Sequence, residues 1–217
     1  MGNVGMTAIA AAALCLTSAS MGADGSRAGK WEIFLAPTVI ESKTLEFDHG
    51  ASASINSRTA FSFGIGYNFT EHLELSVLMS TSSANYTGTR VKEDGTKETF
   101  TENMYASSFN LQGTYNFMEG PFTPYINGYI GSTYIDSGVS TGEEGDYCWW
   151  DPWWGYICGP YNVTYSSTRF SYGLDLGVRY DFEMLYLAAS IGKNYIDLDT
   201  SNSSDFNIYR FIFGFKF

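Results

Sequence analysis

The sequence predicts an all-β chain: an eight-stranded antiparallel up-and-down transmembrane β-barrel with short periplasmic turns and long extracellular loops. Two observations indicate this fold class. Aromatic residues make up 17% of the 217 residues and charged residues only 16%, so a soluble chain of this size would struggle to bury its rings. Apolar residues also recur at every second position, which is typical of strands that have two different faces.

The alternation is clearest near the carboxyl end of the chain. From Tyr209 to Phe217 every second residue is aromatic, and from Phe170 to Phe182 apolar residues alternate with polar residues or glycine. Residues 124–135 resemble a strand, but their pattern assigns no face. With the weaker segments included, eight strands are predicted, at residues 31–40, 58–69, 73–86, 105–117, 124–135, 168–182, 185–196 and 206–217.

The predicted connections alternate in length. Three are short and polar, at residues 70–72, 118–123 and 183–184. Four are long, at residues 41–57, 87–103, 136–167 and 197–205. Short turns at one end and long loops at the other are typical of barrels in the bacterial outer membrane.

A soluble barrel or sandwich with its apolar face inward would give the same alternation. Two features favour a membrane. The apolar face carries Tyr, Phe and Trp at strand ends, as interfacial girdles do, and the polar face is rich in Gly, Ser and Asn, as a narrow lumen requires. The terminal Phe217, with Phe215 on the same face, also matches the assembly signal of outer-membrane proteins.

The amino terminus predicts a secreted protein. Residues 7–16 form an apolar run that is too short to span a membrane and is followed by small residues, which is typical of a signal peptide. We expect a signal peptide at residues 1–22 and one barrel domain at residues 23–217. The mature chain would keep Cys148 and Cys158 in a compartment that permits disulfides.

Three stretches of the chain resemble the small eight-stranded outer-membrane barrels of the OmpW/OmpA-like group. They are SINSRTAFSFGIGYNFTEHLEL (54–75), FTPYINGYIGSTYID (122–136), and RFSYGLDLGVRYDF (169–182) with YLAASIGKNYIDLDT (186–200). The resemblance implies passage or capture of small hydrophobic compounds and a role in envelope integrity. It carries no catalytic signature.

Charge separates along the predicted topology. The net charge is −11, and the four long loops alone sum to −11, whereas the strands are slightly basic. Six charged residues fall on the predicted lumen face and should pair there: Glu32, Glu74, Asp175, Arg179, Arg210 and Lys216. They could form a gate or a structural plug. We favour the plug, because eight strands leave an interior just wide enough for side chains.

The third long loop contains an unusual motif, YCWWDPWWGYICGP at residues 147–160. We expect a disulfide between Cys148 and Cys158, which would close a small ring and restrict the loop. Three roles stay open for its tryptophans: a binding tip for a host or phage surface or a glycan, an interfacial or ligand-entry element, and a self-packed loop core. These tryptophans are Trp149, Trp150, Trp153 and Trp154.

The sequence favours a non-enzymatic barrel. His49 and His72 are the two histidines, and neither lies in a recognisable catalytic signature, although a lipid A-modifying barrel enzyme is a remote alternative. We expect no catalytic residue, no cofactor and no metal. The expected partners are outer-membrane lipid and lipopolysaccharide, the barrel assembly machinery, and a small hydrophobic ligand or a host or phage surface. The acidic charge argues against nucleic acid.

Overall fold

In a computed structural model the chain is almost entirely antiparallel β-structure. The structure describes residues 26–47, 50–91, 96–151, 155–198 and 205–217, with the backbone alone for residues 143–162. The strands are β1 (Trp31–Leu35), β2 (Thr38–Ile40), β3 (Lys43–Glu46), β4 (Ser52–Ile55), β5 (Arg58–Asn68), β6 (Leu73–Val91), β7 (Lys97–Asn116), β8 (Phe122–Asp151), β9 (Gly155–Asp181), β10 (Leu185–Ile196) and β11 (Asp205–Lys216).

Nine of these stretches form a closed ring of eight strands, and β3 and β4 form an added hairpin. β1 and β2 pair with β5 in the same register, and they also pair with β11 in the same register. Together they therefore form a single strand. The strand is interrupted at Pro37, because proline has no N–H to donate. Pairing of β1 with both β5 and β11 closes the sheet. At the closure Trp31 and Phe217 exchange backbone hydrogen bonds of 2.9 and 3.0 Å. The predicted eight-stranded up-and-down barrel is confirmed.

The outer face of the ring is apolar and aromatic, as the alternation predicts. Aromatic rings of this face contact one another at the end of the barrel that carries the short turns. There the ring centroid of Tyr67 lies 5.1 Å from that of Trp31 and 5.0 Å from that of Phe69. Representative exposed residues on two strands are Leu174, Leu176, Val178, Phe211, Phe213 and Phe215. This surface suits contact with lipid, and the rings suit an interfacial girdle.

Three of the four predicted long loops contain regular structure. The predicted strand ends at residues 40 and 58 are confirmed, whereas those at residues 86, 105, 135 and 168 were wrong. Residues 41–57 contain the hairpin β3–β4, which pairs with β6. Residues 87–103 and 136–167 are mostly extensions of the strand pairs β6–β7 and β8–β9. Polar outward residues hide such extensions in the sequence, because a strand above the membrane no longer needs an apolar outer face.

Residues 124–135 carry aromatic side chains on the inner face, which explains why their alternation assigned no face. Tyr125 and Tyr129 point into the barrel and are 4% and 5% exposed. Each lies directly opposite a glycine of β9, Gly177 and Gly173 respectively. A Cβ atom on either glycine would overlap the opposing ring, so the ring occupies the space that the glycine leaves.

The same arrangement occurs on other strands. Phe34 lies opposite Gly64, and Tyr186 lies opposite Gly214. Both rings are at most 5% exposed, and both fill the position of the missing Cβ. Aromatic residues paired with glycines across neighbouring strands therefore fill much of the narrow interior.

These pairs make a testable prediction about stability. Gly177→Ala should lower the free energy of unfolding by about 1–3 kcal/mol, because the added methyl group overlaps Tyr125 and the backbone oxygen of Ala189. Gly113→Ala is the matched control, since a Cβ there meets no atom within 4 Å. Urea titration of both barrels in lipid vesicles measures the difference. Equal stability of the two variants would contradict the account.

Candidate functional site

Arg179 lies at the centre of a cluster of buried charges near the short-turn end of the barrel. Its guanidinium donates to Glu32 at 2.5 Å, to Glu74 at 3.2 Å and to Asp181 at 2.8 Å. It also lies over the ring of Tyr186, 3.8 Å from the centroid. The strands that supply these groups are brought together only by closure of the barrel.

Asp181 joins this cluster to the amino-terminal segment. Besides Arg179, it accepts from Lys216 at 2.8 Å and from Arg27 at 2.8 Å. Arg27 is fully buried and also donates to the backbone oxygens of Met118 and Gly120, at 2.7 and 3.2 Å. The residues before β1 therefore enter the barrel and close its short-turn end.

Glu71, in the turn between β5 and β6, fastens that segment in place. Its carboxylate accepts from the Ser26 hydroxyl at 2.6 Å and from the backbone N–H groups of Arg27 and Ala28 at 3.1 Å each. Partial burial opposes ionisation, but these hydrogen bonds and the nearby Arg27 outweigh it and lower the pKa of Glu71. The carboxylate is thus ionised at neutral pH.

A second buried ion pair lies further along the lumen. Arg210 contacts Asp175 at 2.8 Å, and Asn127 donates to the same carboxylate at 3.4 Å. The six charged residues assigned to the lumen from the sequence thus fall into two groups. Glu32, Glu74, Arg179 and Lys216 belong to the first cluster, and Asp175 and Arg210 form the second.

Two members of the first cluster were missed from the sequence. Asp181 lies on the same face of its strand as Arg179, so the alternation contained a signal for it. Arg27 precedes the first strand and belongs to no alternating pattern. Its partners, Met118, Gly120 and Asp181, are distant in the sequence, so no local pattern indicates them.

The long-loop end of the lumen has a different character. A cavity of about 420 Å³ lies there between the β3–β4 hairpin and the extended strands. Its wall is mostly apolar, with Leu45, Phe47, Ile55, Tyr86, Phe100, Met104, Ile135, Ile196, Leu198 and Phe206 among its lining residues. Several of these residues also form a buried apolar cluster. This cavity, here called the outer cavity, falls within the usual volume range of small-molecule pockets.

The outer cavity was not predicted, because its wall combines residues from nine separate strands, β3 to β11, with residues of the connections between them. Its lining contains the arginines Arg58, Arg90 and Arg169, and no Asp or Glu is among the described lining residues. Arg90 pairs with Glu98 at 2.8 Å, and Arg169 donates to the Ser167 hydroxyl at 3.0 Å.

Residues 147–151 and 155–160 of the Trp-rich motif form the outer ends of β8 and β9. The backbone register places Cys148 directly opposite Cys158, but the side chains of Cys148, Cys158, Trp149, Trp150, Trp153 and Trp154 lie outside the described residues. Opposed residues of an antiparallel pair have Cα atoms about 4.5–5.5 Å apart, a separation that suits a disulfide. The disulfide stays a prediction.

The remaining predicted residues fall at the ends of the barrel or outside the description. Phe215 and Phe217 are exposed on the outer face, at 48% and 65%, and their role as an assembly signal stays a prediction. The predicted signal peptide and His49 lie outside the described residues. The described part of the chain contains no group of three His, Cys, Asp or Glu side chains placed to hold a metal. No helix in that part is long and apolar enough to cross a membrane.

Comparison with known families decides the identity of the fold. Residues 8–217 match the outer membrane protein β-barrel domain family. The chain belongs to this family. It is an integral protein of the Gram-negative outer membrane, with its short turns in the periplasm and its long loops outside the cell. A comparison with curated protein sequences finds no match.

Several solved structures of outer-membrane barrels are similar to this chain in fold. Ail, the attachment invasion locus protein of Yersinia pestis, solved with the heparin analogue sucrose octasulfate, is 10% identical, with a TM-score of 0.50 over 88% of this chain and 99% of that chain. Neisserial surface protein A is 16% identical, with a TM-score of 0.49 over 90% and 98%. OprG of Pseudomonas aeruginosa is 16% identical, with a TM-score of 0.49 over 90% and 99%. The likeness to Ail concerns the fold alone.

The charge cluster predicts a large effect of one substitution on stability. Asp181→Ala should lower the free energy of unfolding by about 3–5 kcal/mol, because it leaves Arg27, Arg179 and Lys216 buried with one carboxylate fewer. Urea titration in lipid vesicles measures the change. Asp197→Ala, at an exposed position near the opposite end, is the control and should leave stability unchanged. A loss for Asp181→Ala as small as that of the control would contradict the assignment.

Proposed function

We propose that this outer-membrane barrel captures small hydrophobic compounds in its outer cavity and helps to keep the outer membrane sealed. The observation that carries the proposal is the outer cavity itself, about 420 Å³ of mostly apolar space at the extracellular end. Transfer of an apolar compound from water into this cavity is favourable, by roughly 25 cal/mol for each Å² of its surface that is buried.

The periplasmic half of the lumen supports capture rather than free diffusion through the barrel. Its charged side chains are packed so closely that Glu32, Arg179 and Asp181 are at most 3% exposed. A solute that travelled along the axis would have to separate these ion pairs in a medium of low dielectric, which is costly. We therefore propose that captured compounds leave sideways, toward the membrane, and that the lumen is plugged.

We propose further that the barrel is not an enzyme. The Nδ1 atom of His72 contacts the backbone oxygen of Asn116 at 2.7 Å, and the ring stacks on Tyr115. Its Nε2 atom lies 3.5 Å from Glu119. These contacts occupy the imidazole in a periplasmic turn, far from outer-leaflet lipid, which disfavours His72 as a residue of a lipid A-modifying site.

A second candidate function is surface recognition through the Trp-rich motif at residues 147–160. It is favoured by the length of β8 and β9, which contain 30 and 27 residues, whereas about 9–11 residues suffice to cross the hydrocarbon. The excess length carries the motif well away from the membrane. Capture in the outer cavity remains the first proposal, because its wall is directly described.

The capture proposal predicts that filling the cavity weakens the binding of a hydrophobic compound. Met104→Trp adds an indole to the cavity wall and should weaken binding of the fluorescent hydrophobic probe 1-N-phenylnaphthylamine at least tenfold. The measurement is fluorescence titration of the purified barrel in lipid nanodiscs, with the signal of empty nanodiscs subtracted.

Met79→Trp is the matched control. It makes the same chemical change on the lipid-facing surface, where Met79 is 56% exposed, and it should leave probe affinity unchanged. Each variant is folded if its electrophoretic mobility changes on heating as that of the unsubstituted barrel does. Native affinity in the Met104→Trp barrel, or no specific binding by the unsubstituted barrel, would contradict capture in this cavity.

A further inference from the structure

Arg58 is a buried cation in the wall of the outer cavity. It begins β5, points inward and is 9% exposed. Its Nε and Nη1 atoms are buried and have no hydrogen-bond partner among the described residues. The nearest described interaction is with the ring of Phe206, whose centroid lies 5.2 Å from the guanidinium carbon. Ring contact does not replace the hydrogen bonds that these N–H groups lose by leaving water.

The surroundings of Arg58 make this arrangement more unusual. The cavity wall carries two further arginines and, among the described lining residues, no Asp or Glu. Arg90 already has Glu98 as its partner, and Arg169 has Ser167. In a chain of 23 acidic and 12 basic residues, a wall with this charge is the reverse of the overall balance. The cavity therefore combines apolar walls with one arginine, Arg58, whose buried N–H groups have no partner among the described residues.

We infer that the outer cavity binds an amphiphile with a single carboxylate head and an aliphatic chain, and that Arg58 pairs with the carboxylate. This inference rests on the proposed capture function and specifies its ligand class. A guanidinium presents two parallel N–H groups that match the two oxygens of a carboxylate. Leu45, Ile55, Met104 and Phe206 supply the apolar surface for the chain.

The two parts of such a ligand satisfy the two parts of the site. Its carboxylate provides an acceptor for Nε along the Nε–Nη2 edge of the guanidinium, or for Nη1 along the Nη1–Nη2 edge, so that the buried charge becomes paired and hydrogen-bonded. Its chain replaces water at the apolar wall. A neutral alcohol of the same length satisfies the wall but supplies no charge, and a quaternary ammonium amphiphile adds a second cation beside Arg58.

The first test needs no substitution. Decanoate, 1-decanol and decyltrimethylammonium share one chain length and differ in head group, so competition of each with 1-N-phenylnaphthylamine in nanodiscs isolates the effect of charge. The Met104→Trp barrel gives the background from partition into lipid. We expect decanoate to bind the native barrel at least tenfold more tightly than decanol, and decyltrimethylammonium to bind more weakly than either.

The second test assigns the effect to Arg58. Arg58→Met removes the charge at similar length and should abolish the preference for decanoate over decanol, while leaving decanol affinity within about twofold. Arg58→Lys should retain part of the preference, because it keeps the charge without the planar fork. Lys193→Met is the control, since Lys193 lies outside the cavity lining and pairs with Asp205 at 2.7 Å, and it should keep the native preference.

The outcomes separate this inference from the proposal on which it rests. If decanol and decanoate bind the native barrel equally, the ligand class is wrong and capture of apolar compounds stands. If the native barrel binds none of the three compounds above background, capture itself is wrong. If Arg58→Met keeps the preference, or Lys193→Met loses it as fully as Arg58→Met does, the assignment of the carboxylate to Arg58 is overturned.

Discussion

The contacts of Asp181 with Arg27, Arg179 and Lys216 are the interaction on which the rest of the structure depends. Buried ions of this kind are stable only when each finds an opposite partner and hydrogen bonds. Arg179 and Asp181 share β9, whereas Arg27 comes from the amino-terminal segment and Glu32 and Glu74 from β1 and β6, so the full set of pairs forms only when the ring has closed. Barrel closure and charge pairing therefore stabilise each other, and the periplasmic end is filled as a result.

Above this cluster the lumen is filled in a different way and then opens. Inward-facing rings such as Tyr125 and Tyr186 occupy the space left by glycines on the neighbouring strands. Toward the outside the inner face becomes apolar and encloses the outer cavity. One narrow barrel thus has a periplasmic half filled by buried side chains and an extracellular half that encloses the outer cavity. The sidedness of the proposed function follows from this division.

Much of the fold could be predicted, because alternation along a strand directly reports its two faces. The strand from Phe170 to Phe182 has apolar residues outside and charges inside, as the structure has it. The prediction failed where the inner face is itself apolar or aromatic. Tyr125 and Tyr129 gave residues 124–135 no assignable face, and the cavity wall around Met104 lay in or next to a predicted loop. Arg27 was missed because its contacts are long-range and leave no local pattern.

The central claim is that the barrel is closed to solutes along its axis while its outer cavity is free to bind them. The most direct measurement records ionic current across planar lipid bilayers that contain the purified barrel, using a preparation already shown to bind 1-N-phenylnaphthylamine. The account predicts no stepwise conductance from this folded, binding-competent protein. Reproducible stepwise currents through the native barrel would show a continuous aqueous path past Arg179 and would contradict the account.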